Sequence, residues 1–135
     1  MANKLAAFLA ENSRRENVRV AVSARFLAEN GEVELWELCP LSARDLQEIL
    51  AAGAAEAGFA GRNLRQRELL LRMLVKSVVY PDLSSAELQD SYGVMGEEQL
   101  LLAMLSPGEF KVLEKAFARL NLDNGLNERV VAAKN

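Results

Sequence analysis

Between Val18 and Phe26 the apolar residues recur at every second position, whereas beyond Ser42 they recur at three and four. The first spacing puts one side chain in two on the same face of a strand. The second lines one face of a helix. A chain that carries both periods in separate blocks is confined to a small sheet packed against helices. Val18, Val20, Val22, Ala24 and Phe26 alternate with Arg19, Ala21, Ser23, Arg25 and Leu27. Asn30-Gly31, set between Glu29 and Glu32, is a strong hairpin signal, and Val33 to Leu38 forms the return strand. Val33 and Leu35 fall on one face of it and Trp36 and Leu38 on the other, so this strand is expected to be covered on both sides. The fold class is α+β, an N-terminal β-hairpin with a mostly helical remainder of about five to six helices.

Residues 3–12 read as a short helix capped by Asn3, with Leu5, Phe8 and Leu9 on one face. Pro40 ends the hairpin. Ser42, with Asp45 three residues on, starts a helix striped by Leu46, Ile49 and Leu50. The run from Ala51 to Gly61 extends it, weakened by its glycines, and Gly58 to Arg62 reads as a connector. Asn63 caps a third helix that reaches about Val79, with Leu64, Leu71, Leu74, Val75 and Val78 along one stripe, and Pro81 stops it. Its width, with Leu69, Leu70 and Met73 added, suits a central position. Ser84 to Glu87 offers a capping box, and Gly93 and Gly96 turn the chain. Glu97 to Leu105 is a further helix. Ser106-Pro107-Gly108-Glu109 opens the last one, which runs to about Leu122 with Phe110, Leu113, Phe117 and Leu120 inward. Residues 1–125 form one domain, and 126–135 are expected to be a mobile tail.

Composition narrows the chemistry. There is no histidine, so the commonest general base and transition-metal ligand are missing. Cys39 is the single cysteine, which rules out an internal disulfide and any zinc site of the usual kind. No catalytic constellation, cofactor motif or metal set is legible, and the chain reads as a non-enzyme. A net charge of −3 lacks the footprint of a nucleic-acid binder. The basic run Arg62, Arg65, Arg67, Arg72 and Lys76 reads as a solvated helix face, although a regulator using it is the alternative. Neither a signal peptide nor a membrane span is expected, which points to the cytoplasm.

The segment from Pro81 to Phe110, PDLSSAELQDSYGVMGEEQLLLAMLSPGEF, resembles the XkdN-like tail assembly chaperones of tailed phages and phage-derived elements. The resemblance rests on Pro81, Asp82, Leu83 and Glu87 to Val94, then on Leu101, Met104, Leu105, Gly108, Glu109 and Phe110. An opening with Ser23-Ala24-Arg25-Phe26 and a return strand containing Trp36 is similar as well. Residues 51–68 have no counterpart in that pattern. The resemblance implies an assembly factor that binds the tape measure protein and keeps it soluble until the tail tube forms, with the tail tube protein as a second candidate partner. The alternative is a structural tail or head-completion component retained in the virion. Candidate partner-binding residues are Leu88, Tyr92, Val94, Met95, Leu101 and Met104. For each, a role in the core or in the turn stands beside the role in binding. Met73, Met95 and Met104 would suit an adaptable surface. Self-association is open.

Overall fold

The period-two segment forms a strand, but a shorter one than its pattern allows. In the computed structural model, which describes residues 4–57 and 66–123, β1 spans Val18–Val20 and β2 spans Trp36–Leu38. They pair antiparallel, with Val18 opposite Leu38 and Val20 opposite Trp36. Beyond the buried Val22 the chain leaves the ladder at a turn over Ala24 and Arg25, where the Arg25 N–H donates to Ser23 Oγ. The two arms meet again at a single bridge between Leu27 and Val33. Gly31, at φ 86°, supplies the left-handed residue that closes the tip.

A third strand replaces the end of a predicted helix. The helix expected to reach Val79 is α2, Gln66–Ser77, and Val78–Tyr80 follows it directly as β3. β3 pairs antiparallel with β2, which gives a three-stranded sheet of order β1-β2-β3. Val-Val-Tyr favours an extended chain, and sheet pairing captures it two residues before the expected helix end. The fully buried Ser77 donates its hydroxyl to Cys39 O at 2.7 Å, while the Cys39 N–H donates to Ser77 O at 2.8 Å. The sheet is covered on one side only. Trp36 and Leu38 are buried, but Val33 and Leu35 remain exposed, contrary to the two-sided cover that their phase suggests.

The N-terminal helix is also corrected. Lys4–Phe8 and Ala10–Asn12 form 3-10 turns with no buried residues, and Leu5 and Phe8 stay exposed. So short a segment has little helical stability of its own. α1 spans Ala43–Ala57 and begins as read: Ser42 Oγ accepts from the Asp45 N–H, and Asp45 accepts from the Ser42 N–H at 2.7 Å. The connector at 58–62, the Asn63 cap and the tail at 126–135 lie outside the described residues. α3 (Ala86–Ser91), α4 (Glu97–Met104) and α5 (Pro107–Asn121) complete the domain. α2 packs against α1, α4 and α5, so it is central as its wide stripe suggests. Leu74, Leu100, Leu101, Leu113 and Phe117 are fully buried at the centre and meet Trp36 and Leu38 of the sheet.

One ion pair ties the hairpin to the helices. Arg25 grips Glu109 with Nε at 2.8 Å and Nη2 at 2.5 Å, and Nη2 also donates to Met104 O at 2.8 Å. Its guanidinium lies 4.9 Å from the centroid of the Phe26 ring. Glu109 completes the capping box of α5 as well: Ser106 Oγ accepts from the Glu109 N–H, and Glu109 accepts from the Ser106 N–H. The Arg25 guanidinium, then the Ser106 backbone and the Ser23 hydroxyl, hold the Glu109 carboxyl far below the usual glutamate range.

Two outcomes follow from this packing. Phe117→Ala removes a fully buried ring and is expected to cost about 3–5 kcal/mol, read from denaturant unfolding. Glu109 has its pKa lowered by folding, so its contribution is complete above the ordinary glutamate pKa of about 4.3 and is lost as the pH falls below it. Glu109→Gln should lower the melting temperature at neutral pH and make its fall from about pH 5 to pH 3 shallower than in the parent. A slope should remain, because Glu37, Asp45 and Asp82 are also held low, by Asn17, Ser42 and Ser84 respectively. An unchanged slope would show that the clamp does not form in solution.

Candidate docking groove

Because the hairpin arms splay after Val22, they leave a gap against the helices. The gap is an open groove of about 360 Å³ between the arms, the end of β3 and helix α3. Phe26 and the buried Trp36 form one wall, with ring centroids 5.9 Å apart and planes tilted at 56°. Leu88 of α3 and Tyr92, its C-terminal cap, form the opposite wall, and Met104 at the end of α4 also lines it. Tyr80 and Pro81, joined by a cis peptide bond, close one end. Several apolar side chains stand out of this groove toward solvent: Leu27 is 58% exposed, Tyr80 47%, Leu35 40% and Tyr92 38%. Val33 and Val79 extend the same surface across the outer face of the sheet.

α3 is held in place by short-range polar contacts. Ser85 caps it by accepting from the Leu88 N–H, while Ser84 turns away to bond Asp82. Gln89 ties the segments on either side of α3: its Nε2 donates to Leu83 O at 2.8 Å, and its Oε1 accepts from the Gly96 N–H at 3.0 Å. Gly93 at φ 66° ends the helix in the left-handed conformation. Arg25 lines the other side of the groove, but its charge is spent on Glu109.

The residues singled out from sequence scatter. Leu88, Tyr92 and Met104 come together on the groove. Val94 is half-buried against the core. Met95 is 89% exposed but lines a separate shallow depression with Val75 and Gly96. Leu101 is fully buried among the helices and has no surface to offer. Met73 packs half-buried against the core. Sequence reasoning missed Phe26, Leu27, Leu35, Trp36 and Tyr80. The signal lay in the return strand, where apolar residues change phase between Leu35 and Trp36. There the chain carries greasy side chains on both faces while the sheet covers one.

Other candidate chemistry is weak. Of the basic run on α2, Arg72 pairs with Glu98 at 3.7 Å and Lys76 with Asp45 and Glu48 at 3.4 and 3.0 Å, while Arg62 and Arg65 lie outside the described residues. Burial pushes the Cys39 thiol up, away from a reactive thiolate. Among the described residues no group of His, Cys, Asp and Glu is arranged to hold a metal ion, and no helix is long and apolar enough to cross a membrane.

Comparison with known proteins agrees with the motif in α3 and α4. The family model for the phage XkdN-like tail assembly chaperone protein matches residues 5–134. The chain is 25% identical over 126 residues to the phage-like element PBSX protein XkdN of Bacillus subtilis (strain 168), covering 89% of this chain and 85% of that relative. The crystal structure of the protein YqbN has the same fold, with a TM-score of 0.70 at 20% identity over 94% of this chain and 100% of that one. With the family match running from the first 3-10 turn past the end of α5, the chain belongs to the phage XkdN-like tail assembly chaperone family.

Proposed function

We propose that this chain binds the tape measure protein in the host cytoplasm and keeps it soluble until tail tube subunits assemble around it. The observation that carries the reading is the groove: an aromatic wall of Phe26 and Trp36 with exposed Leu27, Leu35, Tyr80 and Tyr92 at its mouth. A contiguous patch of large exposed apolar side chains marks a place for a partner. An amphipathic helix supplies the matching shape, with side chains along one face entering the groove and its polar face left in water. Leu88 makes direct contacts from α3 and Tyr92 from its C-terminal cap, and Met104 backs the floor. Leu101 acts only by holding α4 in place. Holding a partner in this way requires no bond to be made or broken, and the chain works as a binding protein. Membership in the family supports a role in tail assembly, and the tail tube protein is a further candidate partner.

The test is co-expression with the tape measure protein encoded by the same phage. The chain should raise the soluble yield of that protein and co-purify with it. Leu35→Asp should abolish co-purification, and Tyr92→Ala should weaken it about tenfold, the size expected of an interface anchor, with the circular dichroism of both variants unchanged. Co-purification that ignores both substitutions would rule out the groove. Mass spectrometry of purified particles separates a chaperone, absent from them, from a component that stays in stoichiometric amount.

A further inference from the structure

The hairpin that forms one side of the groove carries a run of acidic residues. Glu29, Glu32 and Glu34 are exposed on the hairpin between Leu27 and Leu35, and the sequence has no lysine or arginine from Phe26 to Ala43. Among the described residues no cation pairs with any of these three carboxylates. Nearby acids are tied: Glu37 to Asn17 and Arg19, Glu109 to Arg25. Glu34 lines the groove together with Arg25, which Glu109 neutralises, and shares the adjoining depression with Arg19, which pairs with Glu37. The mouth therefore combines an apolar floor with a negative rim that no cation pairs among the described residues.

We propose that the groove selects basic amphipathic helices: Leu27, Leu35, Tyr80 and Tyr92 take the apolar stripe, and Glu29, Glu32 and Glu34 read lysines or arginines beside it. This inference rests on the docking role proposed above and adds the rule by which segments are chosen. Rim charges act mostly on encounter and on the rejection of wrong partners, and their effect is screened by salt. An acidic helix meets like charge at the same rim and is turned away. A long client would then be held at its basic segments rather than evenly along its length. A competing occupant is a second copy of this chain, because α5 carries exposed Lys111, Lys115 and Arg119 at four-residue spacing with the exposed Val112 beside them.

The test uses the full chain and two synthetic helical peptides that share one Leu/Ala stripe, one with lysines and one with glutamates on the polar face. The lysine peptide should bind at least about tenfold more tightly at low salt, and the gap should shrink as salt rises. The triple variant E29Q/E32Q/E34Q should erase the preference and E29K/E32K/E34K should reverse it, both with unchanged melting temperature. Equal affinity for the two peptides, or an undiminished preference in the triple variants, overturns the inference. If binding still depends on Leu35 in that case, the groove stands and only the charge rule fails. If Leu35→Asp has no effect, the docking reading fails with it. Sedimentation of the chain alone gives the remaining arm. Self-association that K111E/K115E/R119E removes, with no peptide bound, would make a second copy the occupant and overturn the proposal.

Discussion

The geometry of this protein depends on where the Glu109 carboxylate sits. It accepts from the Ser106 backbone, and so fixes the first turn of α5. It also takes the forked guanidinium of Arg25, and so fixes the hairpin arm. A bidentate contact of this kind sets orientation as well as distance. Arg25 reaches Met104 O in the same grip, which ties the end of α4 to the same point. The hairpin arm is thereby tied, across some eighty residues of sequence, to the junction of α4 and α5. Arg25 and Met104, both held in this clamp, line the groove.

Much of the helical part was legible because its signals are local. Ser42 with Asp45 and Ser106 with Glu109 formed the caps expected of them, and the Leu113 and Phe117 stripe became the buried face of α5. The α+β class was legible from the change of period. What failed depended on partners that a local pattern cannot name. Val78 fits the α2 stripe as well as it fits a strand, and only pairing with Leu38 decides between them. Leu5 and Phe8 are spaced for a helix, but both remain exposed and the segment forms 3-10 turns. The groove was half legible. Leu88, Tyr92 and Met104 were named because they lie in the family-like segment. Leu27, Leu35 and Tyr80 were not, because they come to the site only when the arms splay.

The family-like segment owes much of its character to architecture. Ser85 caps α3, Gln89 bonds to both Leu83 and Gly96, Gly93 supplies a left-handed turn, and Glu109 anchors Arg25. These residues build the wall on which Leu88 and Tyr92 stand. A pattern of this kind identifies the fold, and the binding surface follows from the fold rather than from the pattern itself. The hairpin tip is built differently. Its Glu29, Glu32 and Glu34 hold nothing together through their side chains among the described residues, which leaves their charge free to face outward.

Trp36 is the sole tryptophan of the chain, and it lies 2% exposed against Phe26 at the base of the groove. Its indole is therefore an intrinsic optical probe with an unambiguous assignment. Emission from a dry site differs from that of a hydrated one, so unfolding changes its colour without any label. Seating of a client changes the polarity a few side chains away and is read by the same ring. Conformational integrity and occupancy can thus be followed in one spectrum, from a fluorophore that the protein supplies itself.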